Sequence, residues 1–203
     1  MNTYGYVGGN PLIFDDAYGL AQFVILVGDP GEQGNNFTRA AKTRKEDIEG
    51  SACGCDRADI FQVRSLEDVN KALSSVGKID GGVIYFGHGS PGVIHVSMQP
   101  GKGNIGISDL GNIDFGNIQS GAKAEIRSCN SGTPTPDILG QNNMSFVRAF
   151  ADKSGMATTG FFGGMSFTGS DGKHIPGANP RPPVTGPLLL MPNPGTISVT
   201  SRP

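Results

Sequence analysis

Short apolar runs alternate with segments of helical periodicity through the first half of the chain. Runs rich in β-branched and aromatic side chains predict strands at 23–27, 59–64 and 82–86. Between these strands, apolar residues recur at helical spacing over about 37–49 and 66–76. Asn36 and Ser65 stand at the starts of the two helical patterns as candidate N-caps, and Gly50 ends the first. This alternation predicts a right-handed α/β unit with a parallel sheet.

The second half has fewer periodic segments and more loops. A strand is predicted at 124–128, a helix at about 145–154, a further strand at 156–162, and an edge strand at 196–200. Smaller features are a hairpin arm at 93–96, one short helical turn or helix within 107–118, and a Pro/Gly-rich tail from about residue 169. The 32 glycines and 14 prolines among 203 residues exceed the usual shares of about 7% and about 5%. Much of the chain is therefore expected in loops and tight turns.

The bulk composition narrows the classes of function. A formal net charge of −2 argues against a nucleic-acid-binding protein, which normally carries a basic face. No apolar run approaches the roughly 18 residues of a membrane span, and no charged-then-apolar signal peptide opens the sequence. Three cysteines cannot all pair within one chain. Reduced thiols at the place of action are the simpler interpretation.

Two strand ends carry residues suited to nucleophilic catalysis. The strand at 82–86 leads into Gly87-His88-Gly89, where glycines allow a sharp turn and close approach of a ligand to the imidazole. The strand at 124–128 leads into Cys129. If both strands are parallel in one sheet, His88 and Cys129 emerge at the same carboxyl edge, where open α/β sheets bind ligands. A thiol beside an imidazole is the minimum for a cysteine nucleophile.

Other candidate sites are weaker. The glycine-rich loop at 28–36 lacks both the dinucleotide fingerprint and the Gly-Lys-Ser/Thr ending of a P-loop, so no nucleotide is expected there. Cys53 and Cys55 form a Cys-x-Cys pair, but a structural zinc site needs four ligands. We therefore expect no metal and no cofactor. His95 is predicted to be a strand surface residue, and His174 lies in a polar loop.

The first 20 residues resemble the end of the core of RHS/YD-repeat proteins. The match comprises Tyr4, Tyr6 and Asn10-Pro11, followed by Asp16-Ala17-Tyr18-Gly19-Leu20, with Ala17 where the family usually has proline. The resemblance implies a variable toxin delivered in an RHS shell by a bacterial secretion or toxin complex. It also implies aspartyl self-cleavage after Leu20, in which the motif residues Asp16, Gly19 and Leu20 take part. Residues 1–20 would then be the core end, and 21–203 the toxin domain.

The order of elements in residues 21–165 resembles the caspase-like fold of cysteine peptidases. The local match is Gly87-His88-Gly89-Ser90-Pro91-Gly92, followed about forty residues later by Ser128-Cys129-Asn130. The resemblance implies a three-layer α/β sandwich with a mainly parallel central sheet. It implies Cys129 as nucleophile, His88 as general base and acid, and backbone N–H groups of Gly89 and Cys129 as the oxyanion site. Asp29, Glu32 and Asp137 are candidate acidic residues for a basic P1 side chain.

Together these features predict an RHS-delivered cysteine endopeptidase that acts on a protein in the target-cell cytosol. A cognate immunity protein is expected as a second partner. The same Cys/His pair could instead catalyse deamidation or acyl transfer, or the domain could be a catalytically silent partner-binding toxin. An NAD-directed toxin is disfavoured because no Arg…Ser-Thr-Ser…Glu-x-Glu series is present.

Overall fold

A six-stranded central sheet and a smaller three-stranded sheet organise the molecule. The computed structural model describes residues 20–31, 35–51, 54–99, 102–135, 144–164 and 195–199. In chain order the elements are β1 (Gln22–Val27), α1 (Asn36–Glu49), β2 (Arg57–Gln62), α2 (Leu66–Ser75), β3 (Gly82–Phe86), β4 (His88–Ser90), β5 (Val93–His95), β6 (Asn104–Gly106), a 3₁₀-helix (Ile107–Asn112), β7 (Lys123–Arg127), α3 (Phe146–Ser154), β8 (Ala157–Phe162) and β9 (Gly195–Val199).

The large sheet has the strand order β2-β1-β3-β7-β8-β9. Every pairing from β2 to β8 is parallel, and β9 pairs with β8 in the antiparallel direction at one edge. The predicted α/β fold with a mainly parallel central sheet and an added edge strand is therefore confirmed.

The helices cover both faces of this sheet. Alternating residues of β1 face opposite sides: Val24 and Leu26 pack in the core under α2 and α3, whereas Ile25 and Val27 pack against α1. From α1, four buried side chains enter this second core: Phe37, Ala40, Ala41 and Ile48. Because helices cover both faces of the sheet, its central strands β1 and β3 are apolar at nearly every position. The result is the expected three-layer arrangement.

The sequence predicted the N-terminal cap of α2 correctly but not that of α1. Ser65 caps α2 as predicted, since its hydroxyl accepts a hydrogen bond from the Asp68 N–H at 3.1 Å. The prediction that Asn36 caps α1 was wrong, because Asn36 is the first helical residue and Asn35 is the cap position, without a side-chain cap bond. Residues 113–118 form no helix; Ile118 instead makes an isolated bridge to Ile79.

The predicted hairpin arm at 93–96 is part of a larger unit. β4, β5 and β6 form an antiparallel sheet of three strands that follows directly from the end of β3. This sheet (the small sheet) carries His88, His95 and Asn104 in a row across its strands, because His88 pairs with His95 and His95 pairs with Asn104.

No helix in the described part of the chain is long and apolar enough to cross a membrane.

Candidate active site at the carboxyl edge of the central sheet

The chain leaves the central sheet immediately after β3. Gly87 still donates a hydrogen bond to the Arg127 carbonyl at 3.4 Å, and His88 then begins β4. A Cβ at Gly87 would lie 2.0 Å from the Tyr85 hydroxyl, so only glycine fits there. The fully buried Tyr85 donates a hydrogen bond to the His95 carbonyl at 2.8 Å. The Tyr85 side chain therefore joins the small sheet to the end of β3.

The His88 imidazole is half-buried between two segments of chain that follow β1. Its Nε2 lies 3.4 Å from the Pro30 carbonyl oxygen, and its ring contacts the Phe37 ring edge-to-face with centroids 4.8 Å apart. Because a carbonyl oxygen only accepts hydrogen bonds, Nε2 carries the proton and donates in this contact. The lone pair of the neutral ring is then on Nδ1. Neither Pro30 nor Phe37 was predicted to contact the candidate base.

Burial lowers the pKa of His88 below its ordinary value. The hydrogen bond to the Pro30 carbonyl acts in the opposite direction, the nearby His95 lowers the pKa further, and the negative charge of Asp29 raises it. The net effect favours the neutral imidazole, which is the form that accepts a proton.

Cys129 lies at the matching position on the neighbouring strand. The last register pair of β3 and β7 joins Phe86 to Arg127, so His88 and Cys129 each follow this pair by two residues. Cys129 packs against the core beneath α1, the same core that contains Phe37. The candidate nucleophile and base therefore both pack toward α1 at one sheet edge.

Gly89 lies directly against the segment that carries Cys129. A Cβ at Gly89 would be 2.6 Å from the Ser128 Oγ and 2.8 Å from the Cys129 carbonyl oxygen. Only a residue without a side chain allows this approach between the small sheet and the end of β7. The buried Ser128 hydroxyl has no hydrogen-bond partner among the described residues.

The turn after Cys129 is fixed by buried hydrogen bonds. Asn130 adopts a left-handed conformation with φ of 57°, which asparagine tolerates better than most residues. The Ser131 hydroxyl contacts the carbonyl oxygens of Ile126 at 2.9 Å and Ser128 at 3.2 Å, and it accepts a hydrogen bond from the Phe161 N–H at 3.0 Å. This hydroxyl connects the end of β7 to β8. Neither role was predicted from the sequence.

An ion-pair network lies on the α1 side of β7. Glu125 pairs with Arg44 of α1 at 2.7 Å and with Arg127, whose guanidinium carbon lies 5.8 Å from the centroid of the Phe86 ring. These side chains are all less than a third exposed. The Arg44–Glu125 ion pair attaches α1 to β7 four residues before Cys129.

An open cavity of about 360 Å³ lies over the small sheet. Its described lining residues are His88, Gly89, His95, Ser97, Met98, Gln99 and Asn104. Met98 is a large hydrophobic residue with half of its surface exposed. The lining of the cavity therefore combines polar side chains with the apolar side chain of Met98. Cys129 is not among the described residues that line it.

His95 is a partly exposed strand residue on β5, as predicted, but it also has two polar side-chain partners that were not predicted. Its Nδ1 lies 2.7 Å from the Asn104 Oδ1, and its Nε2 lies 3.1 Å from the Ser90 Oγ. The sequence contained a signal for this grouping, because His88 and Ser90 are two residues apart on one strand and therefore share a face. The pairing of three short strands, however, was not predicted.

The remaining predicted site residues fall in different places. Asp29 is partly buried in the loop after β1, and its carboxylate accepts a hydrogen bond from the Gly31 N–H at 3.0 Å. Leu20 is exposed. Asp16, Gly19, Glu32, Cys53, Asp137 and His174 lie outside the described residues, as do most of residues 1–20 and of the tail from about 169. Among the described residues, no three His, Cys, Asp or Glu side chains form a group able to bind a metal ion.

Comparisons with known proteins give similarity at the level of solved structures. The chain is similar to the X-ray structure of a secreted C11 cysteine protease from Bacteroides thetaiotaomicron in complex with an irreversible peptide inhibitor, with a TM-score of 0.46 and 8% sequence identity. The match covers 78% of this chain and 50% of that chain, so this chain spans about half the length of that protease. No protein-family model and no curated protein matches the sequence.

We expect Gly89→Ala to lower the free energy of unfolding by about 1–3 kcal/mol, the usual cost of overpacking a filled site. The added methyl group would meet the backbone at Cys129, so β4 must move away from the end of β7. Chemical denaturation measures the loss. The control is Gly106→Ala in β6, where the new Cβ would be 3.5 Å from its nearest neighbour. Equal effects of the two substitutions would contradict the assigned contact.

The lowered pKa of His88 makes stability depend on pH. Below the ordinary histidine value of 6.5, the unfolded chain binds a proton at this position more readily than the folded protein does. The contribution of the neutral imidazole is therefore complete above this value and is lost as the pH falls toward the folded pKa. We expect the wild type to lose more unfolding free energy than His88→Gln between about pH 7.5 and about pH 5.5. A smaller or equal loss in the wild type would contradict the direction of the shift.

Proposed function

We propose that this protein is a cysteine endopeptidase in which Cys129 is the nucleophile and His88 the general base and acid. The register of β3 and β7 is the observation that carries the proposal. It places a histidine and a cysteine two residues beyond the same strand pair, at the sheet edge where α/β proteins bind ligands. The resemblance of the Gly87–Gly92 and Ser128–Asn130 segments to caspase-like peptidases supports the same assignment.

His88 has a defined chemical role in this mechanism. A free thiol with a pKa of about 8.5 is mostly protonated at neutral pH, so it needs a base. With the Nε2 proton directed at the Pro30 carbonyl, Nδ1 holds the lone pair that receives the Cys129 proton. Cys129 Sγ then bonds to the scissile carbonyl carbon, and His88 returns the proton to the departing amine. Water then attacks the thioester carbon and gives a proton to His88, and the bond from that carbon to Sγ breaks. The acid is released, and His88 passes the proton to the Cys129 Sγ.

The oxyanion of the tetrahedral intermediate would be bound by the backbone N–H groups of Gly89 and Cys129. In an antiparallel ladder, hydrogen-bonded and non-hydrogen-bonded pairs alternate. The Ser90–Val93 pair closes a two-residue turn, which makes the next pair, Gly89–Ile94, a non-hydrogen-bonded one. The Gly89 N–H therefore points away from β5. One well-placed donor of this kind contributes about 2.7–4 kcal/mol in transition-state stabilisation.

The biological setting follows from the resemblance of residues 1–20 to the RHS core end. We infer a toxin domain that leaves an RHS shell after self-cleavage behind Leu20, enters a target cell and cleaves a cytosolic protein. An immunity protein made by the producing cell would block the site. Asp29, whose charge acts on His88, is a candidate for recognising a basic P1 side chain, together with Glu32 and Asp137.

Cys129→Ala and His88→Ala should each lower the rate of peptide cleavage by a factor on the order of 10⁴ or more, because the two groups act as one unit. The measurement is mass spectrometry of new N-termini after incubation with a bacterial protein extract. Cys55→Ala, which changes a cysteine in the loop before β2, is the matched control and should retain cleavage. Altered glutamine or asparagine masses without new N-termini would point to deamidation and contradict the peptidase assignment.

Expression of residues 21–203 in the bacterial cytosol should slow growth, and Cys129→Ala should remove the effect. The reason is that damage by an enzyme requires turnover, whereas sequestration of a partner does not. Growth curves of strains matched for expression level provide the measurement. Equal toxicity of the Cys129→Ala variant would indicate a partner-binding toxin, and harmless wild-type protein would contradict the toxin assignment.

A further inference from the structure

A hydrogen-bonded series of three side chains lies on the small sheet, which also carries His88. It consists of Ser90 on β4, His95 on β5 and Asn104 on β6, one residue from each strand. The two contacts, at 3.1 Å and 2.7 Å, are both within hydrogen-bond distance. A hydroxyl, an imidazole and an orienting group in this order are the signature of an activated serine nucleophile.

The hydrogen-bond partners determine the tautomer of His95. The Asn104 Oδ1 is an acceptor only, so the imidazole Nδ1 carries the proton and donates to it. Nε2 then holds the lone pair and accepts the hydrogen bond from the Ser90 hydroxyl. This arrangement is the one required for His95 to remove the proton from Ser90. Asn104 acts through His95 and is a positioning residue.

We propose that Ser90 is a second nucleophile of this protein, activated by His95, and that its substrates are carboxylic esters with an apolar acyl group. Unlike a carboxylate, Asn104 carries no charge with which to stabilise a protonated imidazole. The series therefore suits esters, whose alcohol leaving groups need less protonation than the amine of a peptide. Met98, half exposed in the wall of the cavity that His95 and Asn104 line, provides apolar surface for the acyl group.

The reaction balances with water as the only co-reactant. Ser90 Oγ forms a bond to the acyl carbon while its proton moves to His95 Nε2, and the bond from that carbon to the alcohol oxygen breaks. The proton on His95 passes to the departing alcohol. Water then attacks the acyl-serine, gives one proton to His95, and releases the acid and the Ser90 hydroxyl.

The test uses the Cys129→Ala protein, so that the proposed peptidase site cannot contribute. A fluorophosphonate probe should form a covalent adduct at Ser90, located by peptide mass spectrometry, and p-nitrophenyl butyrate should be hydrolysed. Ser97 is an internal control because it lines the cavity together with His95 and Asn104 but has no histidine partner among the described contacts. Its Oγ accepts a hydrogen bond from the Gln99 N–H. We expect no adduct at Ser97.

Variants of the two partners separate a catalytic series from a structural one. In the Cys129→Ala background, His95→Gln should slow adduct formation at Ser90 by about 100-fold or more, the usual contribution of a general base. Asn104→Leu at an exposed position of β6 should also slow it, and Asn104→Asp should restore it. The comparison of Asn104→Leu with Asn104→Asp tests the proposal even if His95→Gln fails to fold.

Two results would overturn the proposal: absence of an adduct at Ser90 in folded Cys129→Ala protein, or an adduct rate unchanged by both His95→Gln and Asn104→Leu. The proposed peptidase is tested separately. Ser90→Ala protein should still react with iodoacetamide at Cys129, so failure of one site does not imply failure of the other.

Discussion

The parallel pairing of β3 with β7 is the constraint on which the candidate site depends. Five register pairs, from Gly82–Lys123 to Phe86–Arg127, fix the two strands side by side, and the Gly87 N–H extends the ladder by one bond to the Arg127 carbonyl. A shift of one residue in this register would move Cys129 along the sheet edge relative to His88. It would also turn every side chain of the shifted strand to the opposite face of the sheet. β3 is buried at all five positions, whereas β7 buries Ala124 and Ile126 on one face and carries charged side chains on the other. Such a shift would therefore replace these two apolar core side chains with Glu125 and Arg127.

Two glycines let the small sheet pack closely against the ends of β3 and β7. Gly87 leaves space for the Tyr85 hydroxyl, and Gly89 leaves space for the carbonyl of Cys129. Tyr85 is fully buried, and its hydrogen bond to the His95 carbonyl connects the central sheet to the small sheet. The position of the small sheet, and with it the whole row of polar groups beneath the cavity, follows from these contacts.

His88 and His95 both line the cavity over the small sheet, but their surroundings differ. His88 contacts a phenylalanine and a backbone carbonyl, whereas His95 contacts two polar side chains. Burial and the neighbouring His95 both favour the neutral form of His88. Under the functions proposed above, two bases would serve two nucleophiles, one at the end of β7 and one on the small sheet.

The strands and helices of the central unit were readable from the sequence, because periodicity and β-branched runs report which residues must be buried. The same patterns placed His88 and Cys129 after adjacent strands, which is a consequence of parallel topology. The pairing of β4, β5 and β6 was not readable, since strands of three residues carry too little periodicity to predict a partner. The contacts of Pro30, Phe37, Ser90, Asn104 and Ser131 depend on that pairing and on the packing of α1 and β8. Residues distant in sequence became neighbours only through the tertiary structure, because their contacts are selected by burial and backbone hydrogen bonding across the whole fold.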